Sequence, residues 1–260
     1  LLVVKHPEYN GWRGKTIVGP YAGKLTNSGE SLVLHGPDGD IVDQVDYSDD
    51  PPWPRGPDGY GSSLERISAD HPSDDYHNWR TSLTKGGTPG KQNSVHDVPW
   101  KPTILSYRIE PEHPTSSDLV DLEIVLDGEE RIGSVTLHVE TLSVTGQRHS
   151  FSTPMVQTVL RRDYAAFEAG IPAQDSQTLV RFRLDVDLEG GGTLALPQQV
   201  EPRPFESYFV YDDEIPSELP ILWLFPTERS TVTAQSVYIS GVVVKPTGER
   251  PVEVYDGARI

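Results

Sequence analysis

The chain has 260 residues, of which 22 are basic and 39 acidic, giving a formal net charge of −17. A surface of that sign repels phosphate backbones, so nucleic acid is not expected as a partner without a local basic patch, and the longest basic clusters are only Arg161-Arg162 and Arg181-x-Arg183. Cysteine is absent, which excludes disulfides and thiolate metal sites, and no apolar run approaches the roughly 20 residues that a bilayer span requires.

The length suggests about two domains. Glycine and proline number 23 each, a usage suited to short strands and turns rather than helices. Residues 1–4 already read as a strand. With no Met ahead of Leu1 and no signal peptide, the expectation is a piece of a longer chain. Leu32-Val33-Leu34 and Ile41-Val42-x-x-Val45 are two further strands, separated by His35-Gly36-Pro37-Asp38-Gly39-Asp40. In such a turn proline presets φ and glycine takes the left-handed position, so 31–47 is expected to be a β-hairpin. Residues 53–93 then carry Trp53-Pro54-Arg55-Gly56-Pro57-Asp58-Gly59-Tyr60-Gly61-Ser62-Ser63, Asn78-Trp79 and Gly86-Gly87-Thr88-Pro89-Gly90. That composition predicts a fixed irregular path pinned by two tryptophans. The Gly/Pro-rich run from about residue 85 onward marks a boundary, with 94–102 as the linker.

Strict alternation governs 103–212. Val120, Leu122, Ile124 and Leu126 share one face; so do Val135, Leu137 and Val139, and Val180, Phe182, Leu184 and Val186. A period of two with one apolar face is a half-buried antiparallel strand. Adding 104–109, 155–160, 164–171 and 207–211 gives about seven strands, the spacing of an immunoglobulin-like or fibronectin-type-III-like sandwich. Residues 213–260 begin with the polar stretch Asp212-Asp213-Glu214 and continue with strands near 219–225, 237–244 and 252–255, the partial start of a further β-rich domain. The expected fold is therefore all-β: tandem sandwiches over 1–93 and 103–212, then a partial segment over 213–260.

The order Gly23-Lys24-Leu25-Thr26-Asn27-Ser28-Gly29-Glu30, hairpin, Asp43-x-x-Asp46-Tyr47, Trp53-Pro54 and the Gly/Pro wrap resembles a lamin tail domain of the bacterial extracellular type. The resemblance implies a β-sandwich that binds or spaces rather than catalyses, with its opening strands ahead of Leu1. The succession of that unit, a fibronectin-like sandwich, Leu219-Pro220-Ile221 and Val254-Tyr255-Asp256-Gly257 also looks like the region upstream of CotH-like kinase domains. That likeness implies an accessory role beside a catalytic domain beyond residue 260, and carries no catalytic residue onto this chain.

Chemical motifs are sparse. Gly59-Tyr60-Gly61-Ser62-Ser63 lacks the Gly-x-Ser-x-Gly elbow, and Lys85-Gly86-Gly87-Thr88-Pro89-Gly90-Lys91 lacks the spacing and following helix of a phosphate loop. His71 and His77 bracket Asp74 and Asp75, a zinc candidate against a solvated loop. Asp38, Asp40 and Asp43, followed by Asp46, Asp49 and Asp50, are the calcium candidates, since calcium takes carboxylate oxygens from flexible loops. Asp185 and Asp187 read as solvent-side strand residues, and Trp53 and Trp79 as packed aromatics or sugar platforms. No catalytic residue and no cofactor other than calcium is expected. The expected function is a non-enzymatic extracellular binding or spacing segment with a protein or glycan partner.

Overall fold

A computed structural model describes residues 2–26, 28–57, 61–97, 102–128, 132–162, 164–197, 205–212, 221–226, 238–244 and 252–259. The readings made above for Asp58, Gly59 and Tyr60, for 213–220, and for the end of the linker fall outside them. The chain is all-β, with two 3-10 turns at Asn10–Trp12 and Tyr76–Asn78 among the described residues. No helix there is long and apolar enough to cross a membrane. Two compact units cover 1–100 and 101–260.

In the first unit β1 (Leu2–Val3) pairs with β2 (Ile17–Val18) in parallel. β3 (Gly29–His35) and β4 (Ile41–Ser48) form the expected antiparallel hairpin, and β5 (Leu64–Arg66) pairs with β6 (Trp79–Thr81). The buried apolar residues among those described are Val4, Ile67 and Val95. Fully buried apolar residues are thus few, and polar side chains bonded to loop backbone also tie the segments of this unit together. Glu65, 4% exposed, accepts from Thr88 Oγ1, the Ser94 amide and Ser94 Oγ, each at 2.6 Å. Asn78 Oδ1 accepts from the Ser68 amide at 2.9 Å, while its Nδ2 donates to the carbonyls of Ser68, His71 and Pro72. Arg66 bridges Asp43 at 3.0 Å and the carbonyls of Ala69 and His71. Ser94 and Val95 lie within the expected linker, yet both pack into this unit. The turn ahead of them is equally fixed: Gly87 has φ +71°, and a Cβ there would sit 2.3 Å from Ser63 Oγ.

The second unit opens with β7 (Ile104–Glu110), β8 (Val120–Asp127), β9 (Ile132–Ser143), β10 (Arg148–Pro154), β11 (Val156–Leu160) and β12 (Tyr164–Ile171). It continues with β13 (Thr178–Leu188), β14 (Thr193–Leu196) and β15 (Glu206–Val210). One sheet runs β11-β12-β8-β7; the other runs β10-β9-β13-β14, with β15 also paired to β13. The alternating apolar faces meet between them, and Leu122, Ile124, Leu126, Leu137, Phe182 and Leu184 are each at most 1% exposed. Tyr107 closes edge-on over Phe182 at 6.0 Å.

β16 (Ile221–Pro226), β17 (Tyr238–Val244) and β18 (Val252–Arg259) form a three-stranded antiparallel sheet within the same compact unit. Their effect corrects the half-buried reading of β13. Leu142, Leu179 and Phe209 form one row across β9, β13 and β15 on the face away from the main core. Phe225 of β16, 2% exposed, packs on that row together with Trp223 and Tyr211. Residues 178–182 are therefore buried on both faces.

Candidate functional site

The parallel pairing of β1 with β2 forces a crossover, because adjacent parallel strands cannot be joined by a tight turn. That crossover holds an open cleft of about 460 Å³ lined by Lys5, His6, Glu8, Tyr9 and Trp12. Its path is set by local backbone bonds. The Tyr9 amide donates to the His6 carbonyl, that of Trp12 to the Tyr9 carbonyl, and that of Lys15 to the Trp12 carbonyl, at 3.1, 3.1 and 2.9 Å. Trp12 Nε1 also donates to the His6 carbonyl at 3.0 Å, which fixes the indole. The Tyr9 ring stands edge-on to Trp12, with centroids 5.6 Å apart and planes at 76°. A Cβ on Gly11 would lie 2.2 Å from Tyr9 Cε1, so a side chain there would displace the exposed ring. Lys5 Nζ is tethered to the Gly23 carbonyl at 2.6 Å.

The result is a tyrosine ring 62% exposed to solvent, backed by a half-buried indole and edged with charge. His6 Nδ1 and Glu8 Oε1 lie 3.1 Å apart at the rim. The Glu8 backbone N–H, and after it His6, hold the Glu8 carboxyl below the usual range, so it is an ionised acceptor. A concave, largely apolar site with a few placed polar groups is the common form of a small-ligand site. Sequence reasoning passed over these residues. The available signal was Tyr9-Asn10-Gly11-Trp12, two aromatics flanking an Asn-Gly turn.

The calcium candidates separate. Asp38 and Asp40 are exposed in the hairpin turn, while Asp43 is paired with Arg66 at 3.0 Å. Asp46 is exposed and Asp50 bonds its amide to Ser48 Oγ. Around the zinc candidate, Asp74 accepts from the Asp46 amide, and Asp75 caps the 3-10 turn by accepting from the His77 amide and ring. Among the described residues no group of three or more His, Asp or Glu side chains converges to hold a metal ion. Trp53 and Trp79 do meet, with centroids 6.1 Å apart, and Trp79 Nε1 donates to the Ser73 carbonyl at 2.8 Å. Of the Gly-Ser turn, Ser63 is tied to Ser82 through both its amide and its carbonyl.

On the outer face of the second unit, Ser152 Oγ lies 2.7 Å from His138 Nδ1, and His138 Nε2 lies 2.8 Å from Asp185 Oδ2. The order of groups is that of a nucleophile, a base and an acid. Its setting is different: Ser152 is exposed on a strand face, and Asp185 also accepts from Arg183 at 2.6 Å. Next to it Glu140 lies between Arg148 at 3.7 Å and Arg181 at 3.5 Å, and Asp187 accepts from Ser134 and Thr193. These are cross-strand polar pairs repeated along a sheet face, each of modest worth. Asp185 and Asp187 occupy the solvent side expected of them.

Neither a protein-family model nor a curated protein matches the chain. Among solved structures it is similar to the C-terminal domain of wzt, at 15% identity and a TM-score of 0.30, over 43% of this chain and 74% of that one.

Proposed function

We propose that this chain is a non-enzymatic binding and spacing segment of a larger extracellular bacterial protein, and that the cleft at residues 5–12 contacts a glycan. The observation that carries the reading is the exposed Tyr9 ring beside the fixed Trp12 indole, with Glu8 and His6 at the rim. A pyranose has an apolar C–H face that stacks on an aromatic ring and hydroxyls that bond to a carboxylate or imidazole at its edge. In the same reading the first unit is lamin-tail-like, supported by the hairpin and by the Trp53–Trp79 contact. The extracellular placement rests on that resemblance.

Calorimetric titration with gluco- and galacto-oligosaccharides tests the proposal. Saturable binding is expected, and Tyr9→Ala or Trp12→Ala should weaken it by roughly tenfold, the worth of one stacked ring. Gly11→Ala should weaken it as well by pushing the Tyr9 ring aside. Turnover of ATP or a glycoside above a heat-denatured control would end the non-enzymatic reading. Binding to no saccharide, or binding indifferent to all three changes, would end the glycan reading.

A further inference from the structure

The cleft at residues 5–12 is lined by both a lysine and a glutamate, but the two charges are not equally available. Lys5 Nζ donates to the Gly23 carbonyl at 2.6 Å, so its ammonium already has a backbone partner. Glu8 is more open. Its side chain is 73% exposed, and its Oε1 faces His6 Nδ1 at 3.1 Å. An ionised carboxylate offers about four acceptor positions over its two oxygens, so this contact leaves room for a further donor. The Glu8 backbone N–H and His6 keep the carboxyl in that ionised form. The aromatic wall acts in the same direction. A cation is attracted to the face of a tyrosine ring, and Tyr9 is 62% exposed. At longer range, the formal net charge of −17 draws cations toward the chain and repels anions.

Resting on the glycan reading above, we infer that the preferred ligand of this cleft is an amino sugar with a free, protonated amine. The C–H face of the pyranose lies on Tyr9, and the ammonium donates to Glu8. A charge-assisted bond of this kind is stronger than the same bond from a hydroxyl. N-acetylation removes the positive charge and adds bulk where the amine meets the carboxylate, so the acetylated sugar loses the contact. A uronic acid carries the wrong sign and is rejected by Glu8 and by the field of the chain.

Calorimetric titration of the chain near neutral pH with the trimers of glucosamine, N-acetylglucosamine and glucose tests it. The glucosamine trimer should bind about fivefold more tightly than the other two, the upper worth of an exposed ion pair. That preference should shrink in about 1 M salt, where such a pair is screened. Glu8→Gln keeps the shape of the side chain and removes its charge. It should bring the three trimers within about twofold of one another, with circular dichroism showing the fold kept. Asp40→Asn removes the same charge from the exposed hairpin turn and should leave the preference in place. Trilysine presents ammonium groups without a sugar ring and should bind roughly tenfold more weakly than the glucosamine trimer. Equal binding of the three trimers overturns the inference and leaves the glycan reading standing. So does a preference that survives Glu8→Gln, one that is lost in Asp40→Asn, or trilysine bound as tightly as the glucosamine trimer. If no trimer binds, the glycan reading itself fails and the inference falls with it.

Discussion

Glu65→Ala is expected to melt the first unit while leaving the second untouched. The change removes one acceptor group that serves Thr88 Oγ1, the Ser94 amide and Ser94 Oγ. Each buried donor left without a partner costs about 1–3 kcal/mol, and part of that returns as the 86–95 segment loosens toward water, so a net loss of roughly 3 kcal/mol is expected. In a unit whose described core is Val4, Ile67 and Val95, that is a large share of the total. Calorimetry should show the lower of two transitions shift or vanish and the other stay in place. A single unchanged profile would refute the idea that polar tethers hold this unit.

The same carboxylate sets an acid limit. Burial alone would push the Glu65 carboxyl up, but the bonds from Ser94 and Thr88 outweigh it and hold the group below its ordinary value of 4.5. Asp75 behaves alike: burial pushes it up, and the His77 amide and ring bring it below 3.8. A carboxyl with a depressed folded pKa contributes stability that is whole above its unfolded value and is lost as the pH falls through the folded one. The first transition should therefore hold steady from neutral pH down to about 4.5 and decline below it. In Glu65→Ala that decline should be shallower.

Phe225→Ala and Phe182→Ala form the second test. Both rings are buried, 2% and 1% exposed, and truncating a buried phenylalanine costs about 3–5 kcal/mol. Phe182 lies between the two sheets of the sandwich, where a loss of that size is no surprise. Phe225 lies on the opposite side of β13, over Leu142, Leu179 and Phe209. If β16 belongs to the cooperative unit, the two substitutions should lower the same urea midpoint by comparable amounts. If Phe225→Ala left that midpoint alone, β16 would not be part of the second unit's fold.

β8, β9 and β13 were legible because their inward residues alternate strictly with polar ones. Residues 164–171 coincide with β12. β10 was not legible: Arg148-His149-Ser150-Phe151-Ser152-Thr153-Pro154 carries one large apolar residue, and its strand state comes from pairing along β9. β14 is only four residues long and adds Leu194 and Leu196 to the core at the end of β13. The burial of Leu179 was not legible, because nothing local announces that a ring about 45 positions later will cover it. In the first unit the tryptophan pair and the hairpin were visible in the sequence. Glu65 was not, since a glutamate between Leu64 and Arg66 reads as surface until Thr88 and Ser94 return to it. The aspartates at 38, 40 and 43 looked like a cluster by spacing, but a hairpin turn followed by a strand sends them to different neighbours.

The covering of β13 from both sides bears on how the second unit opens. Residues 178–182 are laddered to β9 on one edge and β15 on the other, and both faces of the strand are closed to water there. Amide hydrogens exchange only when such ladders part, and the slowest sites report the last structure to survive. The amides of Leu179 to Phe182 should thus trade hydrogen for deuterium more slowly than those of the edge strands β10 and β11. They would mark the nucleus around which the rest of the sandwich breathes.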